Sequence, residues 1–224
     1  MEQIAKTGFD RLWPVNPVAH TFLECLTNAE RQTSPYNHWL LTNPFPAEVC
    51  DDIANLPFPP PESAVFNGMR ETNNSSRIYF TPANQETFDV CRCVVEAFQH
   101  PGARAAIEET TGADLANAHL RIEYCQDTDG FWLEPHTDIS VKKFTMVIYL
   151  SDDPNLADAG TSIYEGPPDF KLVASAPYAK NRGIVFIPGD NTWHGVAKRS
   201  IKGVRKSIIV NYVTSEWRDA WELA

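Results

Sequence analysis

His136 and Asp138 stand two apart in WLEPHTDIS, residues 132–140. The run around them reads as a β-strand, and residues two apart in a strand project to the same side. An imidazole and a carboxylate on one face can ligate a single ion when a third group arrives from elsewhere. His194, in FIPGDNTWHGV (186–196), offers that group just after a buried-looking strand and a turn. Two histidines and one carboxylate on one face of an octahedron leave three positions open, the arrangement of non-haem Fe(II) sites. Zinc accepts the same three ligands.

Arg205 and Ser207, in GVRKSIIVNYV, share one face of a later strand. A guanidinium and a hydroxyl so placed form a fork that binds a carboxylate bidentately. A buried arginine at a strand start needs an acidic partner, and a bound dicarboxylate supplies one. The fork favours iron with an organic dicarboxylate over zinc, which needs no such cosubstrate.

These side chains require strands lying side by side around a cavity. After Asn117 the apolar period becomes two: AHLRIEYCQ (118–126) alternates, with Leu120, Ile122 and Tyr124 on one face. Further strands are expected at 131–138, 143–151, 161–165, 170–175, 183–188, 192–197 and 205–213. Turn signals separate them: DTDG, DDPN, EGPPD, KNRG and PGDN. Asp127 and Asp129, in the first of these, read as turn formers. Short strands without βαβ alternation predict a double-sheet jelly roll.

The preceding half reads mainly as helix. Asn16-Pro17 opens one helix and Pro46 a second, a third runs from about Gln85 to Gln99, and Pro101 and Gly112 bound a fourth. SEWRDAWELA at the end reads as a short helix capped by Ser215. The expectation is one domain, 1–224, of α+β class with a mainly β core. Residues 1–117 form mainly helical support and a lid region, 118–213 the sheet core, and 214–224 a C-terminal helix.

The chain has 224 residues, and 29 acidic side chains against 19 basic give a net charge of −10. That balance disfavours a nucleic-acid partner, because phosphate contacts need clustered cations. Five cysteines without C-x-x-C spacing read as reduced, buried thiols. No stretch is apolar enough for a membrane span, and the first residues lack a signal-peptide core. A cytoplasmic protein is expected.

In order along the chain, His136-x-Asp138, His194 and Arg205-x-Ser207 resemble the 2-oxoglutarate/Fe(II)-dependent dioxygenase superfamily, and within it the prolyl-hydroxylase-like branch. The likeness runs from about Leu120 to Val213 and takes in EYCQDTDGFWLEPHTD, TMVIYLSDD followed by AGTSIYEG, and RKSIIVNY. It implies a double-stranded β-helix, a jelly roll of cupin-like form, with helices packed outside. It implies iron on His136, Asp138 and His194, and 2-oxoglutarate held through its distal carboxylate by Arg205 and Ser207. Tyr124 and Tyr149 match positions that contact this cosubstrate.

The implied reaction uses O2, with ascorbate as a candidate reductant. It couples decarboxylation of 2-oxoglutarate to succinate with hydroxylation of an unactivated C–H. Halogenating relatives replace the carboxylate ligand by Gly or Ala, so Asp138 points to hydroxylation. Three readings of the partner stay open. One is a small metabolite or a glycan- or lipid-linked intermediate. Another is a peptide, as in prolyl-type protein hydroxylation. The third is a sensing module that keeps the metal without turnover.

The polar stretch FNGMRETNNSSRIYF (66–80) lies between a Pro-rich connector and the core. Such a loop forms a lid or binding wall, which would bring Arg70 and Arg77 to the substrate; surface salt bridges are the alternative. Trp132, close to the metal motif, lines the cavity or packs the sheet. His119 projects opposite Tyr124 and reads as a non-ligand.

Overall fold

The alternation after Asn117 builds the centre of the fold. In the computed structural model, which describes residues 16–61, 66–69 and 77–224, β4 (His119–Asp127) pairs along its whole length with β11 (Arg205–Val213). Arg205 stands opposite Asp127 and Val213 opposite His119. Leu120, Ile122 and Tyr124 face a helical layer. Arg121, Glu123, Cys125 and Asp127 therefore project to the other side, into the space between two sheets.

The larger sheet also contains β1 (Glu30–Gln32), β2 (His38–Thr42), β3 (Ile78–Tyr79), β6 (Lys142–Tyr149) and β9 (Arg182–Phe186), in the order β1-β2-β9-β6-β11-β4-β3. The smaller sheet contains β5 (Leu133–His136), β7 (Ser162–Tyr164), β8 (Leu172–Ser175) and β10 (His194–Val196), in the order β5-β10-β7-β8. All pairings are antiparallel. This two-sheet arrangement fits a jelly roll. Phe131, Val147, Ile163, Phe186 and Val196 fill the apolar part of the inter-sheet space.

The helices are α1 (Pro17–Thr27), α2 (Ala47–Ala54), α3 (Pro82–Thr87), α4 (Asp89–Gln99) and α5 (Pro101–Thr111). Asn16 caps α1, its side-chain oxygen accepting from Val18 N and Ala19 N. The same amide donates to Cys93 O at 2.8 Å, tying α1 to α4. Gly112, at φ 77°, ends α5 in the left-handed conformation that glycine adopts freely. Phe22, Phe45 and Phe98 cluster with Ile122, Tyr124, Met146 and Tyr212 and are fully buried or nearly so. Burial of each such large apolar side chain contributes about 1.5–3 kcal/mol.

Each of the eight strands expected after Asn117 is present, several of them shorter. Elsewhere the structure corrects the sequence reading. Within the first half, expected to be mainly helical, three strands were not foreseen: β1, β2 and β3 join the larger sheet. The helix expected over 85–99 breaks at Phe88, whose extended φ of −125° separates α3 from α4. The expected C-terminal helix is a single 3-10 turn, Ala220–Glu222: Glu222 turns inward to Arg121, and Ala224 N donates to Leu120 O at 3.0 Å. No helix of the described residues is long and apolar enough to cross a membrane. All five cysteines are free thiols.

Candidate active site

β5 and β10 are neighbours, with His194 opposite His136. Their rings lie 4.4 Å apart between centroids. Gly195 permits this closeness, since a Cβ there would stand 2.7 Å from Leu133 O and 2.9 Å from Glu134 O. Asp138 follows just beyond β5. Ligand atoms from His136, Asp138 and His194 all lie within 4.8 Å of one another.

Both imidazoles are oriented in the same way. His136 Nδ1 lies 2.7 Å from Glu134 O, and His194 Nδ1 lies 2.9 Å from Thr192 O. A carbonyl oxygen only accepts, so each Nδ1 carries the hydrogen and each Nε2 keeps its lone pair for a metal. His194 is buried, and burial pushes its pKa down to about 4; Asp138 opposes that shift and His136 adds to it. At neutral pH it is the uncharged imidazole that a metal requires.

A pH dependence follows for protein stripped of metal. Between about pH 6.5 and 4 the unfolded chain takes up a proton at His194 that the folded chain refuses. Folding stability at this site is fully present above that window and falls as the pH drops through it, by on the order of 3 kcal/mol. Urea denaturation of chelator-treated protein at pH 7 and pH 4.5 measures this. His194→Gln should show a smaller loss between the two pH values.

Asp138 is held from two sides. Lys142 Nζ donates to Oδ1, and Thr145 Oγ1 donates to Oδ2 at 2.8 Å. Thr145 Oγ1 also lies 3.0 Å from Asn211 Oδ1, while Asn211 Nδ2 is buried with no hydrogen-bond partner among the described residues. A hydroxyl has one hydrogen, and the carboxylate takes it. Turning the Asn211 amide over makes its NH2 the donor to Thr145 and gives that nitrogen a partner. The chain Asn211 to Thr145 to Asp138 then fixes the carboxylate. Lys142, Thr145 and Asn211 escaped the sequence reading. Thr145 and Asn211 carry the signal of inward register on β6 and β11; Lys142 has the parity of the helix-facing Phe144 and Met146 and lies where the β6–β11 pairing shifts register, which alternation does not show.

A narrow cavity of about 50 Å³ runs from the three metal-ligand candidates to Arg205 and Ser207. Ser207 Oγ is buried and has no partner among the described residues. Arg205 donates through Nε to Ala159 O and through Nη1 to Asp127 Oδ2, each at 2.7 Å. The acidic partner that the sequence reading left to a ligand is thus supplied by the protein. Asp127 is not merely a turn former: as the last residue of β4 it alternates inward and is 3% exposed.

The other expected site residues divide. Tyr149 packs its ring beside the Arg205 guanidinium at 5.7 Å. Its hydroxyl donates to Thr161 Oγ1 at 2.9 Å and accepts from Thr161 N at 2.8 Å. It flanks Arg205 without lining the cavity. Tyr124 faces the helices, its hydroxyl donating to Ala54 O at 3.3 Å; strand alternation gives the inward place to Cys125 instead. Arg77 is neither on the surface nor at the mouth: it donates to Asp127 Oδ1 at 2.7 Å inside the cavity. Trp132 packs against Gly68 and lies under Lys198 at 5.4 Å, away from the cavity. Arg70 lies outside the described residues.

The donor set fits a metal that binds two neutral imidazoles and a carboxylate. The partnerless Ser207 hydroxyl beside Arg205 fits a carboxylate at the far end of the same cavity.

No family model matches the sequence, and no curated protein sequence matches it significantly. Solved structures do match. A prolyl-4-hydroxylase from Pseudomonas putida superposes with a TM-score of 0.54 at 16% identity, over 92% of this chain and 97% of that one. A Trichoplax adhaerens prolyl hydroxylase, in complex with a hypoxia-inducible-factor oxygen degradation domain peptide fragment, gives 0.54 at 15% identity, over 90% and 91%. A non-heme alpha-ketoglutarate-dependent epimerase of nogalamycin biosynthesis gives 0.51 at 14%, over 88% and 83%. In fold, this chain is similar to the prolyl-hydroxylase-like 2-oxoglutarate/Fe(II) oxygenases.

Proposed function

We propose that this chain is an Fe(II)- and 2-oxoglutarate-dependent dioxygenase on a double-stranded β-helix. It hydroxylates an unactivated C–H of a small metabolite or of a glycan- or lipid-linked intermediate. The observation that carries the reading is one cavity that joins the His136–Asp138–His194 cluster to Arg205 and Ser207. His136, Asp138 and His194 would hold the iron. Arg205 and Ser207 would hold the distal carboxylate of 2-oxoglutarate, with Tyr149 as the flank that keeps the guanidinium in place. Iron with 2-oxoglutarate bound supplies the chemistry: O2 is consumed, succinate and CO2 are released, and one oxygen atom enters a substrate C–H bond.

A second cavity, of about 470 Å³, also borders His136 and Asp138. Arg121, Lys142 and the C-terminal residues Trp217 and Glu222 line it. Its volume lies in the range of small-molecule sites. Trp217 Nε1 is buried with no partner among the described residues, so it is available to orient a polar substrate atom. A peptide substrate is the second reading, supported by the fold likeness to prolyl hydroxylases, one of them solved with a peptide.

The test is a titration without substrate. Protein purified without oxygen is loaded with Fe(II), then given 2-oxoglutarate. The expected result is a weak, saturable visible charge-transfer band of the chelated 2-oxo acid. Stoichiometric zinc and no band would overturn the oxygenase reading in favour of a metal-keeping sensing module.

A further inference from the structure

Two guanidiniums and one carboxylate line the cavity beside Ser207. Asp127 Oδ2 accepts from Arg205, and Asp127 Oδ1 accepts from Arg77, each at 2.7 Å. The three side chains are 5%, 3% and 7% exposed, for Arg205, Asp127 and Arg77 in turn. Both guanidiniums lie against Phe131, at 5.9 Å and 5.5 Å from its ring centre.

Arg77 reaches this place by register. Ile78 pairs with Tyr124 and Tyr79 with Glu123. Ile78 therefore shares the helical side with Tyr124, and Arg77, one residue earlier, alternates inward beside Cys125 and Asp127.

Charge decides what this arrangement can do. An Arg205–Asp127 pair alone is neutral, and the carboxylate of Asp127 would offset much of the attraction of Arg205 for an incoming anion. With Arg77 the trio carries a formal charge of +1; Glu123, the next carboxylate that acts on Arg77, is engaged by Arg121 at 3.0 Å. A buried surplus cation is costly until it meets an anion, and the partnerless Ser207 hydroxyl stands in the same cavity.

We propose that Arg77 is a positioning residue for the cosubstrate. Acting through Asp127, it supplies the surplus charge that makes the Arg205–Ser207 end bind a carboxylate. Asp127 in turn weakens that pull, so the Arg77–Asp127 pair sets cosubstrate affinity. The inference rests on the oxygenase reading above. It moves Arg77 from the substrate side, where sequence placed it, to the cosubstrate side.

The test is a charge series read by the same anaerobic band. Arg77→Gln makes the trio neutral and should weaken 2-oxoglutarate binding about tenfold or more. Asp127→Asn makes it +2 and should bind at least as tightly as the unaltered protein. The double variant Arg77→Gln/Asp127→Asn returns to +1 and should recover most of the lost affinity. A purely structural role predicts the opposite order: both single variants weaken binding and the double variant is no better than either. That order, or an Arg77→Gln protein that binds normally, overturns the inference while leaving the oxygenase reading intact. Absence of a band from unaltered protein overturns the oxygenase reading and this inference with it. Iron affinity, measured in parallel without 2-oxoglutarate, should be unchanged across the series. If Arg77→Gln alone fails to fold, the double variant restores the charge balance and the comparison is made between it and Asp127→Asn. Equal affinity in that pair overturns the inference, and tighter binding by Asp127→Asn supports it.

Discussion

Asp138→Ala should lose iron by more than the roughly 10–100-fold that removing an outer hydrogen-bond partner of a metal ligand costs. It removes one of the three metal-ligand candidates that cluster at the site among the described residues. It also removes the carboxylate facing the buried Lys142 ammonium, which is 2% exposed. Loss of one member of a buried ion pair costs on the order of 3 kcal/mol. Two losses are therefore expected from one substitution, and a second change separates them. Lys142→Met in the Asp138→Ala background should restore much of the stability without restoring iron binding. Iron titration and urea denaturation of the three proteins measure the two effects independently. Iron binding within about threefold of the unaltered protein in Asp138→Ala would remove Asp138 from the ligand set.

The nearness of His136 and Asp138 was legible because its signal is local: they stand two apart, although β5 ends at His136 and Asp138 lies just past it, not on the strand as expected. Arg205 and Ser207 share one face of β11 by strand periodicity. The meeting of His194 with His136 was not local. It depends on the β5–β10 register and on the close approach at Gly195, which sequence offers only as a glycine beside a histidine. Asp127 was misread for a related reason. The face of β4 that carries Arg121, Glu123, Cys125 and Asp127 looks like a solvated face until a second sheet covers it. Once covered, each of its charges needs a partner from another strand. The strands β1, β2 and β3 were missed because β2 pairs with β9, more than a hundred residues away, and their short runs give too little alternation to stand out from loop.

The largest stability effect should come from that same covered face. Arg121 is 1% exposed and donates to Glu222 Oε2 at 2.5 Å, to Glu123 Oε1 at 3.0 Å and to the Tyr79 hydroxyl at 3.1 Å. Its guanidinium also lies 4.7 Å from the ring centres of both Tyr79 and Trp217. Arg121→Met removes the guanidinium that stands between two buried carboxylates, at a cost of about 3–5 kcal/mol. For a chain of this length the melting temperature should fall by roughly 10 °C. Glu222→Gln leaves Arg121 paired with Glu123 and should cost only about 1 kcal/mol.

The milder variant is the informative one for function, because Glu222 anchors the segment that walls the cavity of about 470 Å³ beside His136 and Asp138. Glu222→Gln should leave Fe(II) and 2-oxoglutarate titrations unchanged. Its effect should appear in the coupling of succinate release to substrate hydroxylation, since the wall proposed to orient the substrate is loosened while the His136–Asp138–His194 cluster is not. A Glu222→Gln protein with weakened iron binding would show that the tail supports the metal site itself. The second cavity would then be part of the metal scaffold and not a separate substrate chamber.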